Sequence, residues 1–221
     1  MICGVTLVEA CVESPEAAVA AATGGAQRIE LCANLAAGGT SPDSATLAAC
    51  IAPLAIPVFV MVRPRAGDFH YSDAEHARMV NEIRHAKDAG AGGIVTGALR
   101  RGGTVDEARM RGLIDAARPL PVTFHRAFDD CRDVERALET LIALGVTRVL
   151  TSGQPRRAAP EGAARIANLV RLAAGRIGIL AGGGINADNV AALVRASGVR
   201  EVHLSTKDAE KIRRVVEALN R

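Results

Sequence analysis

The feature that most constrains this chain is a unit repeated from end to end: a short apolar run, a loop marked by Gly or Pro, then apolar residues at helical spacing. The predicted strands cover residues 6–12, 28–31, 58–62, 93–96, 121–124, 148–150, 177–180 and 201–203. Helices are expected over 15–22, 43–51, 73–89 and 161–173, and from a cap at Asn186 to about Ser197. Three further stripes fall at i, i+3, i+4 and i+7 or close to it: Met110-Leu113-Ile114-Ala117, Val134-Leu138-Leu141-Ile142 and Ile212-Val215-Val216-Leu219. Strands that alternate with helices pair in parallel, because each connection must cross back over the sheet. Eight such units in 221 residues predict an α/β fold, a compact (β/α)8 TIM barrel in one domain over residues 1–221. An open doubly wound sheet would carry a glycine-rich phosphate loop after its first strand. The chain has Cys11-Val12-Glu13-Ser14 there.

Aromatic residues make up only 2% of the chain and Trp is absent, so Val, Ile, Leu and Ala must fill the core. A net charge of +3, without a basic stripe interleaved with aromatics, speaks against nucleic-acid binding. Five cysteines with no C-x-x-C pair fit neither a disulfide framework nor a zinc knuckle. The first residues lack the basic-then-apolar pattern of a secretory signal, and no apolar run approaches the ~20 residues of a membrane span. A reducing cytoplasm is the expected compartment.

Barrels of this kind work at the C-terminal ends of their strands. Here those ends carry Glu9 and Cys11, Glu30 and Cys32, Arg63 and Arg65, His125 and Arg126, Ser152, the run Gly182-Gly183-Gly184, and His203. Glu9 and Cys11 share one strand face, as do Glu30 and Cys32. Glu9 or Glu30 could act as a base if desolvated, and His125 as an acid or base near neutral pH. Arg63 and Arg126 suit a carboxylate or phosphate clamp, with Arg65, Ser152 and His203 as further substrate contacts. The three glycines lie where many barrels hold phosphate on backbone N–H groups. The alternative is a plug of mutually neutralising charges that closes the barrel top. No lysine lies within a strand, against a Schiff-base aldolase, and no H-x-H pair marks a hydrolytic zinc barrel. Two functions follow from the residues: an enzyme acting on a small anionic metabolite, with or without phosphate, or a regulatory protein that binds such a ligand.

The segments Glu30-Leu31-Cys32-Ala33-Asn34-Leu35, Val60-Met61-Val62-Arg63-Pro64-Arg65, Thr123-Phe124-His125-Arg126-Ala127-Phe128-Asp129, Leu150-Thr151-Ser152-Gly153-Gln154, Ala181-Gly182-Gly183-Gly184 and Glu201-Val202-His203 together resemble the CutC family. The resemblance implies a (β/α)8 barrel, a cytoplasmic location, a homo-oligomer (dimer or larger) and a role in copper homeostasis through Cu(I) binding. It also implies Cys11 and Cys32 as the metal ligands. Cu(I) is soft and prefers thiolate. Two thiolates on a linear ion would stand about 4.6 Å apart at bonds near ~2.3 Å, against ~4.8 Å between adjacent strands. One departure stands out: members of the family carry a longer segment after the strand ending in His203, whereas this chain passes through Leu204-Ser205-Thr206 directly to Lys207-Asp208.

Overall fold

The computed structural model describes residues 6–154, 161–206 and 208–220. Its strands are β1 (Leu7–Val12), β2 (Arg28–Leu31), β3 (Val58–Met61), β4 (Gly93–Thr96), β5 (Leu99–Arg100), β6 (Thr104–Val105), β7 (Val122–Phe124), β8 (Arg148–Thr151), β9 (Gly178–Gly182) and β10 (Glu201–Ser205). Eight of them close into a parallel barrel in the order β1-β10-β9-β8-β7-β4-β3-β2. β5 and β6 form a small antiparallel hairpin between β4 and β7, which the sequence pattern did not reveal. Helices α1 (Pro15–Thr23), α2 (Ser44–Ile51), α3 (Asp73–Asp88), α4 (Glu107–Ala117), α5 (Val134–Ala143), α6 (Ala163–Ala173), α7 (Val190–Ser197) and α8 (Ala209–Leu219) complete the (β/α)8 pattern.

Local chemistry sets the helix starts. Ser14 accepts the Ala17 N–H at 3.2 Å, and Pro15 occupies the first turn of α1, where its missing donor costs nothing. α3 opens with a full capping box, in which Ser72 and Glu75 each accept the other's backbone N–H. The expectation that Asn186 caps α7 is corrected. Asn186 instead accepts the Asp188 N–H in a preceding turn, and the helix begins at Val190. Among the described residues no helix is long and apolar enough to cross a membrane.

The two faces of the barrel wall have opposite chemistry. Outward residues such as Val8, Ala10, Ile29, Val60, Ile94, Val122 and Val149 join one large apolar cluster with the helix faces. Inward residues of the same strands include Glu9, Arg28, Glu30, Arg148, Glu201 and His203. Register sets Glu9 beside both Arg28 and His203, and Cys11 beside Glu30 and Ser205. Near the N-terminal ends of the strands the charges alternate and neutralise one another. Glu9 bonds Arg28, and Glu201 Oε2 accepts from Arg28 Nη2 at 2.6 Å and from Arg148 Nε at 2.7 Å. The guanidiniums of Arg28 and Arg148 lie over the Phe59 ring, 5.0 and 5.3 Å from its centroid. Gly93 makes room for that ring, since a Cβ there would stand 2.5 Å from it. The sequence reading missed this layer, although Arg28, Arg148 and Glu201 lie two residues before Glu30, Leu150 and His203 on their strands.

Candidate functional site

Above the charged layer lies a cavity of 220 Å³ at the C-terminal ends of the strands, lined by Cys11, Glu30, Met61, His125, Arg126 and His203 together with loop residues. Cys11 and Cys32 meet at the tops of β1 and β2, with their sulfurs 3.5 Å apart. Both thiols are buried and free, and Met61 and Leu35 pack in the same cluster. The loop following β2 folds over them. A Cβ on Gly39 would come within 3.5 Å of both Met61 Cε and Cys32 Cβ, and its φ of +83° suits glycine. One ligand atom each from Cys11, Glu30 and His203 lies within 4.8 Å of the other two.

Each imidazole has a fixed setting. His203 Nδ1 is 2.7 Å from Glu9 Oε1. Burial alone would strip its proton, but the Glu30 charge and the Glu9 hydrogen bond hold its pKa above the usual histidine value. Nδ1–H therefore donates to Glu9. Burial alone would raise the Glu9 carboxyl, yet the His203 hydrogen bond and the Arg28 charge bring it down to about 2. His125 differs: burial and the Arg63 charge depress it to about 3, so it is neutral at physiological pH. Its Nδ1 accepts the Ala127 N–H at 3.2 Å, which leaves the ring proton on Nε2. Gly97 permits this placement, since a Cβ there would stand 2.8 Å from the ring. Burial raises the Glu30 carboxyl, and hydrogen bonding to Cys32, burial and the Glu30 charge push the Cys11 thiol well up.

The structure redistributes the residues expected at the mouth. Glu9 is fully buried beneath the cavity and orients His203, so it is not placed to act as a base on a substrate. Arg63 lines the cavity, but its Nη atoms donate to the carbonyls of Ala37, Gly39 and Gly67, which pins the covering loops. Arg65 pairs with Glu75 and Asp68 away from the cavity. Arg126 does reach the rim, held by Asp129 at 2.9 Å and by the Ser152 hydroxyl at 2.8 Å. Ser152 is itself tied to Asp129 and supports Arg126 from behind. Gly182, Gly183 and Gly184 do not line the cavity. Gly182 is a packing glycine, because a Cβ there would come within 2.7 Å of Leu150 and 3.3 Å of His203. Asp129, on the short 3-10 helix that follows β7, organises this wall by accepting from Thr151, Ser152, Gln154 and Arg126.

The profile of the CutC family matches residues 6–208. The chain belongs to the CutC family. A CutC family protein from Vibrio cholerae is 48% identical over 202 residues, covering 90% of this chain and 79% of that protein. The human copper homeostasis protein cutC homolog is 49% identical over 201 residues, 91% of this chain and 73% of that one. Among solved structures, CutC from Streptococcus agalactiae superposes with a TM-score of 0.86 at 34% identity, covering 91% of this chain and 99% of that chain. Phosphoribosylanthranilate isomerase from Thermotoga maritima, at 12% identity and a TM-score of 0.65, shares the barrel fold alone.

Proposed function

We propose that this CutC family chain serves copper homeostasis by taking Cu(I) as cargo on the Cys11–Cys32 pair, in a reducing cytoplasm and as a homo-oligomer, dimer or larger. The observation that carries this reading is the 3.5 Å separation of two buried, free sulfurs. Thiolate is the donor that Cu(I) selects, and the Met61 side chain beside the pair is a second soft group. With bonds near ~2.3 Å, sulfurs this close subtend roughly 100° at an ion rather than the straight line of two-coordination. Such an angle calls for a third donor, and Glu30 and His203 stand within reach of Cys11. The copper-homeostasis name of the human relative supports the same assignment.

Anaerobic competition with a coloured Cu(I) chelator tests it. Wild-type protein should withdraw one equivalent of Cu(I), and Cys11→Ser/Cys32→Ser should weaken the affinity at least 100-fold. An unchanged affinity in the double variant would remove the site from consideration.

A further inference from the structure

The copper site takes up one side of the cavity and leaves His125 and the Arg126 rim unused. Among the described residues Glu30 Oε2, His125 Nε2 and Arg63 Nε are buried side-chain atoms without a hydrogen-bond partner, and all three residues line the cavity. Glu30 is 2% exposed and His125 3%, so bulk water does not satisfy them. Buried polar atoms are ordinarily paired, and three such atoms on residues of one cavity mark a place where something else supplies the partner. Glu30 rises from β2 and His125 from β7, three strands apart in a ring of eight, on facing walls. One offers a carboxyl oxygen and the other an N–H, the complement of a hydroxyl that donates to the first and accepts from the second.

Three further observations narrow the ligand. At 220 Å³ the cavity holds about seven waters at ~30 Å³ each, too little for a nucleotide. Two guanidiniums, Arg63 and Arg126, line it, and Arg126 stands at its rim. Leu35, Met61, Phe69 and Leu150 provide an apolar wall for a short carbon skeleton. We infer that the barrel mouth binds a small hydroxy acid, its hydroxyl between Glu30 and His125 and its carboxylate toward the Arg126 rim. The glycine run after β9 has no part in it, so a phosphate group is not required. This ligand would share Cys11, Glu30 and His203 with the copper site, so the two should exclude each other.

Saturation-transfer NMR on the copper-free full chain tests the inference independently of the copper proposal. Three probes are used: racemic glycerate, propionate (no hydroxyl) and glycerol (no carboxylate). Glycerate should bind wild-type protein at least tenfold more tightly than either of the others. Glu30→Met and His125→Phe should each weaken glycerate at least tenfold, with circular dichroism confirming the fold. Where a variant does not fold, the three-probe comparison in wild type decides alone. Absence of a glycerate signal, or equal binding of all three probes, would overturn the hydroxy-acid site. A glycerate signal lost on adding one equivalent of Cu(I) would support the shared site. Glycerate bound equally with and without Cu(I) would overturn the sharing.

Discussion

Position by position, the barrel interior is decided by where a side chain is absent as much as by where one is present. Gly93 is the sharpest case, because Phe59 occupies the space its Cβ would need and carries two guanidiniums on its ring. Gly93→Ala should cost about 1–3 kcal/mol in urea unfolding through overpacking. Phe59→Leu in the same chain should recover part of that loss, and simple additivity of the two changes would refute the steric account. At this scale the sequence showed which residue types gather at the strand ends, but not what each one faces. Arg63 and Arg126 look equivalent as sequence, yet one pins loops through backbone carbonyls and the other stands at the rim. The difference rests largely on partners more than 20 residues away, the Ala37 and Gly39 carbonyls for Arg63 and the Ser152 hydroxyl for Arg126, which no local pattern encodes.

At the scale of elements, strand and helix order was legible because burial against helices imposes continuous apolar runs and 3.6-residue stripes. Boundaries moved where turn chemistry competes with helix formation, as at Asn186, whose side chain closes a turn rather than a helix. The β5–β6 hairpin escaped notice because strands of two residues leave no periodicity to read. The capping box of α3 was not singled out in the sequence, although Ser72 and Glu75 stand at its three-residue spacing. That helix is strongly polar outside its buried stripe of Met79, Ile83 and Ala86, so its start depends on the cap more than on packing. Ser72→Ala should therefore lower stability by about 1 kcal/mol, measured by chemical denaturation. A change within error would mean that Glu75 alone sustains the first turn.

For the whole molecule, the charged interior makes stability depend on pH. His125 is held at about 3 in the fold and returns toward its ordinary value on unfolding. Between those values the unfolded chain binds the extra proton, so this contribution is complete above about pH 6.5 and is lost as pH falls. Glu9, held at about 2, adds a loss of the same sign at lower pH, while His203, held up, contributes stability that fades as pH rises. Denaturation midpoints of wild type should fall from pH 6.5 to pH 4, and His125→Phe should flatten that fall; parallel profiles would show that His125 is not the source. The charges inside the barrel divide into two layers. Glu9, Arg28, Glu201 and Arg148 neutralise one another below, while Glu30, His125, Arg126 and His203 border a cavity above. The sequence by itself determined the barrel, its family and the set of reactive groups at one end, because periodicity and motif are local and survive in one dimension. Only the tertiary structure decided which charges are paired and which face open space, and brought Cys11 within 3.5 Å of Cys32. Those outcomes depend on the register between strands and on loops that fold back over them, distances that the order of residues along the chain does not contain.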